Sequence, residues 1–391
     1  MGRAVRRLWP FALLAPLLVT LLVAFAAPVA MMLMRGVSEQ ELPAVMPRTA
    51  EALRGWDGTA LPPDSVAATA AAEMRAAGRA GTINRIAYRL NYDIVGSRSL
   101  IFATAARLDQ GAAGGSVADL ARIDPRWGDR ATWSAMHHAA GPSSSFYLWA
   151  ALDRRVDPDG HVVAVPDEQA VFVGILLRTF KISAIVALLC IMLGYPVAYL
   201  VASAPPRLAN PLLIVVLLPF WTSTLVRTTA WVVLLQTNGV VNGLIQSLGL
   251  AQAPLPLLYS RTGVYIAMTH VLLPFFILPL YGVMRQVPPD TLRAARSLGA
   301  GPVSAFLRVY FPQTLPGVIA GAVIVFTLAL GYYITPALVG GGADQMVSAS
   351  IAFYTNRSLN WGMAAALSIL LVLPLGAVLI LGRTISGWRP I

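Results

Sequence analysis

Residues able to do covalent chemistry are sparse in this chain. Cys190 is its one cysteine and lies in a hydrophobic run, so neither a disulfide nor a cysteine zinc site can be built within the chain. Lys181 is its one lysine, preceded by Leu177-Arg178-Thr179-Phe180. A phosphate-binding loop needs Gly-Lys followed by Ser or Thr, so none is encoded. If ATP acts through such a loop, another chain supplies it. His137 and His138 are adjacent, and neighbouring side chains on a helix diverge by about 100°, a poor geometry for a metal. They read as ordinary surface histidines. No convincing Ser/His/Asp or Cys/His pattern accompanies them. The sequence points to no catalytic residue and no metal.

What chemistry remains is electrostatic and positional. Arg227 is the one arginine well inside a hydrophobic segment, where a cation is costly unless it faces a cavity, a partner or the outer headgroups. His270 lies in another such segment, and packing explains it. The stretch 285–313 is heavily punctuated. Pro288-Pro289-Asp290 ends one helix and caps the next, 291–298 reads as two helical turns, and Gly299 suits a C-terminal cap with positive φ. Gly301 permits a bend, Pro302 begins a second helix to about residue 310, and Pro312 stops it. Leu292, Ala295 and Leu298 share one face, with Arg293 and Arg296 on another.

The elements that position these residues follow from composition. The chain has 391 residues, 57% hydrophobic and 12% charged. Its mean hydropathy is +0.67. Soluble domains carry about 25% charged residues, so this is a membrane protein. Residues 35–170 hold 14 Arg and 16 acids, 30 of the 47 charged residues, and the net +11 divides as −2 there and +13 elsewhere. That placement argues against nucleic-acid binding, because the basic excess flanks hydrophobic segments.

Six segments, near 11–34, 172–202, 208–235, 262–284, 314–336 and 363–382, are each long enough to cross about 30 Å of hydrocarbon. The first is too long for the apolar core of a signal peptide, so it reads as a retained helix. With six spans, Arg3, Arg6, Arg7, Arg207, Arg285, Arg293, Arg296, Arg308, Arg383 and Arg389 fall on one side with only Asp290, which makes both termini cytoplasmic. The expected fold is an all-α membrane protein. It comprises 1–34 with the first span, a mostly helical extracytoplasmic insert at 35–170, a membrane core at 171–383 and a tail at 384–391. Within the insert, Asp124-Pro125 reads as a helix start ahead of 127–138. Pro219, Pro274 and Pro279 are expected to kink the third and fourth spans.

Residues 293–312, Arg-Ala-Ala-Arg-Ser-Leu-Gly and, after nine residues, Val-Tyr-Phe-Pro, resemble the cytoplasmic signature of binding-protein-dependent ABC importer permeases. That signature is Glu-Ala-Ala, three residues, Gly, nine residues, Ile-x-Leu-Pro. Ala294, Ala295, Gly299 and Pro312 match by identity. Arg293 stands where the family usually has Glu, a charge reversal at the docking surface. Gly194-Tyr195-Pro196-Val197-Ala198-Tyr199, Pro219-Phe220-Trp221-Thr222-Ser223, Leu272-Leu273-Pro274-Phe275 and Gly331-Tyr332-Tyr333-Ile334-Thr335-Pro336 are similar to the spermidine/putrescine transport permease branch.

The resemblance implies a transport subunit without enzymatic activity of its own, in a bacterial inner membrane. Its 285–313 loop inserts into an ABC ATPase subunit, and ATP and Mg belong to that partner. A second homologous permease, forming a heterodimer, and a periplasmic solute-binding protein complete the expected assembly, with lipid around it. The solute is a small organic molecule, a polyamine first. The spans contain no acid, so a polyamine would meet aromatic faces, carbonyls or the partner's acids. Trp221, Trp231, Tyr281, Phe326, Tyr332 and Tyr333, with Arg227, are the candidates to line its path. Arg227 keeps an anionic or amino-acid-like solute open. The rival class, an ion-gradient transporter or channel, often carries intramembrane acids and paired repeats, which are not found here.

Overall fold

The computed structural model describes residues 14–38, 41–141, 143–157, 159–358 and 360–385. Arg3, Arg6, Arg7 and Arg389, used above for orientation, lie outside the described residues, as do 11–13 of the first segment and 386–391 of the tail. The chain divides into two compact units. One runs to Val173 and includes Tyr354–Leu370; the other takes Gly174–Phe353 and the residues from Leu371.

The first unit begins with the apolar α1 (Leu14–Met34). Eight helices follow: α2 (Glu41–Val45), α3 (Pro47–Arg54), α4 (Asp64–Arg79), α5 (Ile83–Asp93), α6 (Ser97–Asp109), α7 (Val117–Ile123), α8 (Arg130–His138) and α9 (Phe146–Ala151). A hairpin of β1 (Arg154–Val156) and β2 (Val162–Ala164) closes the series. Alanine-rich α4 buries Val66, Ala67, Ala70, Ala71, Met74 and Ala77, whose spacing puts them on one face. Its Glu73 satisfies the start of α3 by accepting from the Arg48 and Thr49 amides and the Thr49 hydroxyl, at 3.1, 2.9 and 2.7 Å.

Asp124-Pro125 starts only a short 3-10 turn, Pro125–Gly128, and α8 begins at Arg130. The reason is that side chains claim the carbonyls a continuous helix would use. The Thr132 hydroxyl donates to the Arg126 carbonyl, and the Trp133 indole to that of Trp127. His137 and His138 are half-buried instead of lying on the surface. His137 Nδ1 is 2.7 Å from the Leu53 carbonyl. Arg89 and Asp93 form a buried 2.8 Å pair, with the Arg89 guanidinium 3.4 Å from the centre of the Phe146 ring.

Burial pushes the Asp93 carboxyl up against the pull of Arg89. Burial also pushes His138 below its ordinary 6.5, against the pull of Asp93. Because unfolded His138 takes its proton at higher pH than the folded residue, this unit loses stability as pH falls below 6.5 through the folded value. Asp93, raised from 3.8, has the opposite sign and acts from that value upward. His138→Gln is therefore expected to remove the acid-side decline, read as melting temperature against pH in detergent. An unchanged slope would refute the assignment.

Asp153 ties the hairpin to α10 (Phe172–Ser203). It holds φ at +54°, a backbone state that aspartate tolerates better than most residues. Its carboxylate accepts from the amides of Val171, Phe172 and Val173 at 3.0, 2.9 and 2.7 Å. These are first-turn donors that α10 itself cannot satisfy, and the negative charge complements the helix dipole. Asp153→Ala should cost about 1–3 kcal/mol, and Asp153→Asn less because it keeps one acceptor and the backbone preference. Equal melting temperatures for wild type and the alanine variant would show that the cap is dispensable.

The second unit continues α10 and adds α11 (Pro206–Leu217), α12 (Thr224–Leu235), α13 (Val240–Ser247), α14 (Arg261–Met284), α15 (Pro289–Ser297), α16 (Pro302–Gly331) and α17 (Ile334–Val339). α18 (Val347–Asn356) and α19 (Trp361–Ile385) follow. Among the described residues, five helices are long and apolar enough to cross a membrane: α1, α10, α14, α16 and α19. A sixth exists only if Pro206–Trp221 and Thr224–Ser247, bent by 99°, count as one span. The 208–235 segment is thus a broken helix. Pro219 sits in a 3-10 turn, Leu218–Trp221, whose Pro219 carbonyl accepts from the Thr222 amide and hydroxyl. Pro274 and Pro279 lie inside an unbroken α14.

The 314–336 segment differs at both ends. The helix reaches back to Pro302 and stops at Gly331, with Tyr332 extended. Pro312 does not stop it. A wide π-helical turn, Phe306–Tyr310, precedes the proline, and the Phe311 amide bonds five residues back to the Phe306 carbonyl. The wider turn makes room for a ring that would collide with a regular helix.

Candidate functional site

The 285–313 loop is set by local backbone chemistry. Pro288 is extended and Pro289 occupies the first turn of α15, with Asp290 beside it. Gly299 takes φ +89°. The Gly299 amide donates to the Arg296 carbonyl, and the Ala300 amide to that of Ala295, at 3.0 and 3.1 Å. This is the paired C-terminal closure that a left-handed glycine allows. Arg293 and Ala294 are exposed, Ala295 is half-buried, and Pro312 is exposed within α16. Arg293 donates to Asp290 at 3.0 Å across a fully solvated gap. Leu292 packs against the core as its face predicts, whereas Leu298 is 89% exposed. It occupies the capping position, where the chain leaves the helical track. Val303 and Leu307, one turn apart at the start of α16, are also exposed, as are Arg293 and Arg296 on α15.

Helices α10, α14 and α16 form the packed centre of this unit, through Ile182, Val186, Cys190, Met268, Leu272, Phe276, Leu280 and Val325. Close approach rests on glycine. A Cβ at Gly194 would lie 2.5 Å from a Phe276 ring carbon, and one at Gly321 2.8 Å from that ring and 2.9 Å from the Phe276 carbonyl oxygen. Gly317, one turn before Gly321, faces the Leu280 backbone at 3.1 Å. The G-x-x-x-G spacing of Gly317 and Gly321 is the sequence signal for this close approach.

The path candidates are dispersed over this unit. Trp231 donates from Nε1 to His270 Nδ1 at 3.2 Å, with the rings 5.3 Å apart. Arg227 turns back on its own chain, donating from Nη2 to the Thr222 carbonyl at 2.8 Å and from Nε to its hydroxyl at 3.3 Å. Phe326 meets Phe180 at 6.3 Å. Tyr332 and Tyr333 occupy the break between α16 and α17, where the Tyr332 carbonyl accepts from the Ser348 hydroxyl at 2.8 Å. A 3.1 Å hydrogen bond between Thr228 and Thr335 joins α12 to α17, bringing the segments that carry Arg227, Trp231, Tyr332 and Tyr333 side by side. Trp221, 73% exposed, and half-buried Tyr281 share no ring contact or side-chain hydrogen bond with the others among the described residues.

Several structural polar residues went unread in the sequence. Arg261 pairs with buried Asp344 at 2.8 Å, fastening the start of α14 to the turn after α17. Asn242 is buried and holds the α12–α14 connection through the Gln236 carbonyl and both backbone groups of Leu255. The hydroxyls of Ser183, Thr269 and Thr327, on α10, α14 and α16, are buried with no hydrogen-bond partner among the described residues. No cluster of metal-ligating side chains occurs among the described residues.

Residues 191–386 match the family described as binding-protein-dependent transport system inner membrane component. The spermidine/putrescine transport system permease protein PotB of Escherichia coli K12 is 32% identical over 206 residues, 53% of this chain and 75% of the relative. PotB of Haemophilus influenzae is 35% identical over 195 residues, 50% of this chain and 68% of the relative. The molybdenum transport system permease protein ModB of Mycobacterium bovis is 32% identical over 209 residues, covering 53% and 76%. Among solved structures, a bacterial alginate ABC transporter in complex with an alginate pentasaccharide-bound periplasmic protein aligns at a TM-score of 0.44. Its identity is 16%, over 55% of this chain and 78% of that one.

Proposed function

The chain belongs to the binding-protein-dependent transport system inner membrane component family, and from that premise we propose that it is the membrane subunit through which an ABC importer passes a polyamine. As a family member it is a multi-pass inner-membrane transport subunit, and ATP hydrolysis belongs to partner chains. The observation that carries the reading is the 285–313 loop. Helix α15, closed by Gly299, presents exposed Arg293 and Arg296, with exposed Leu298 at its cap and Val303 at the start of α16, residues suited to an ATPase groove. In this reading both termini are cytoplasmic, the bent pair at 206–247 is one of six spans, and the helical unit at 35–170 faces the binding protein. A second, homologous permease completes the membrane pair. Arg293, in place of the family's Glu, docks through positive charge.

Polyamine is favoured by the relatives named for spermidine and putrescine. The aromatic candidates Trp231, Tyr332 and Tyr333 supply the cation–π faces a cation needs where the spans carry no acid. An anionic solute is the second reading, favoured by Arg227 and by the likeness to a molybdenum permease. Purification from the native membrane in mild detergent, with identification of co-purifying subunits and ATPase assays with putrescine, spermidine and molybdate, tests both. Stimulation by a polyamine supports the first reading, and stimulation by molybdate alone replaces it with the second. A stable homo-oligomer without an ATPase under gentle extraction overturns both.

A further inference from the structure

A loop that docks on an ATPase does nothing unless its displacement reaches a membrane helix, and resting on the importer reading above, we infer that Tyr195 and Tyr199 of α10 are the positioning residues that receive it. They do so through an aromatic clasp on the π-helical turn behind the loop. Tyr195 meets Phe306 edge-on at 6.2 Å and Phe311 at 5.6 Å. Tyr199 meets Phe306 and Tyr310 edge-on, at 5.6 and 5.5 Å. Phe306 and Tyr310 stack on each other at 5.7 Å. The Tyr195 hydroxyl lies 3.1 Å from that of Thr314, one turn further along α16. Such offset and edge-on pairs are the favoured aromatic geometries, and they resist sliding in more than one direction.

The position of the clasp matters more than its contact area. The π turn holds one residue more than a regular turn, and Pro312 fixes it there because its ring has no amide to offer the Arg308 carbonyl. The Gln313 side-chain amide takes up the next carbonyl, that of Val309, at 2.7 Å. Only Leu298 to Gly301 separate α15 from α16, so movement of α15 arrives at the π turn within one short connection. Tyr195 and Tyr199 are four residues apart on α10, on one face, and grip both ends of that turn. Phe306 and Tyr310 are thus held from α10, and the loop end of α16 and the C-terminal end of α10 form one rigid lever.

The experiment uses the complex with its ATPase subunits, in a Cys190→Ala background, with spin labels on Ser297 of the loop and Ser203 at the end of α10. Their separation should stay constant to within about 2 Å when ATP binds, because a clasped lever moves as one body. In the Tyr195→Leu/Tyr199→Leu variant the separation should change or broaden on ATP binding while the ATPase remains bound. The Tyr195→Phe/Tyr199→Phe variant keeps every ring and should behave as wild type. A constant separation in the leucine variant overturns the proposal, and so does a phenylalanine variant that behaves like the leucine one. Should the leucine pair not assemble, Tyr199→Leu alone carries the same two outcomes. Failure of the importer reading is distinct, since the wild-type chain would then bind no ATPase at all.

Discussion

Gly299→Val is expected to cut solute import per ATP hydrolysed by roughly 5- to 150-fold, the range of a coupling free energy of about 1–3 kcal/mol, while the permease still assembles with its ATPase. The residue holds φ at +89°, and an added Cβ would meet nothing within 4 Å. Crowding therefore contributes nothing, and the penalty is confined to the backbone. A β-branched residue in the left-handed region costs of order 1–3 kcal/mol. The chain escapes that cost by opening the turn, which breaks the bonds from the Gly299 and Ala300 amides to the Arg296 and Ala295 carbonyls. Helix α15 then hinges where it should push. Parallel measurement of ATP turnover and uptake in proteoliposomes separates loss of coupling from loss of docking. Full transport by the valine variant would sink the claim, and Gly299→Asn, which tolerates positive φ, should retain most activity.

The largest stability effect is expected at Gly321. A Cβ there falls 2.9 Å from a backbone oxygen and 2.8 Å from the ring of Phe276, a fully buried residue. Neither neighbour can rotate away, so α16 has to separate from α14, and Gly321→Val should cost upward of about 3 kcal/mol. Little folded protein should survive detergent extraction. Gly282, on the same α14, has open space around it, and Gly282→Ala should be near neutral. Similar extraction yields for the two variants would mean that the helix contact is looser than the glycine spacing implies.

The sequence was most legible where structure is decided by neighbours along the chain. Pro288-Pro289, Gly299 and Pro302 mark the ends of α15 and the start of α16 because caps and turns depend on a few adjacent residues. The motif spacing built on them led to the family that residues 191–386 match. Hydropathy was a weaker guide. It registers that 208–235 is apolar but not that its axis turns through 99° at Thr222-Ser223. Pro312 was read as a terminator because a regular helix cannot hold it, and the π turn that admits it has no signature in composition. The Asp124-Pro125 start gives way after one 3-10 turn, where the Thr132 hydroxyl and Trp133 indole take the Arg126 and Trp127 carbonyls, bonds that a capping pattern does not announce. Pairings such as Arg261 with Asp344, separated by 83 residues, carry no local trace.

For the candidate site, residue types were readable and their grouping was not. Trp231 and His270 were noted separately, yet the structure places them in one hydrogen-bonded pair. Arg227 reads as path-lining or snorkelling, and its bonds to the Thr222 carbonyl and hydroxyl are a grouping that the residue type alone does not show. Tyr195 and Tyr199 stand in a family motif whose sequence does not indicate the rings they meet.

The 99° break has a further consequence. The start of α12 leaves amides without helical acceptors, and in the proposed six-span reading hydrocarbon offers them none. The Arg227 guanidinium compounds this demand by taking the nearby Thr222 carbonyl. If 206–247 is one span, as proposed above, water has to serve the amides of 223–226, which lie at an exposed bend. Its amides should exchange with deuterium orders of magnitude faster than those of Gly263–Leu280 in α14, and a solvent-accessible thiol placed at Ser223 should react where one at Met268 stays silent.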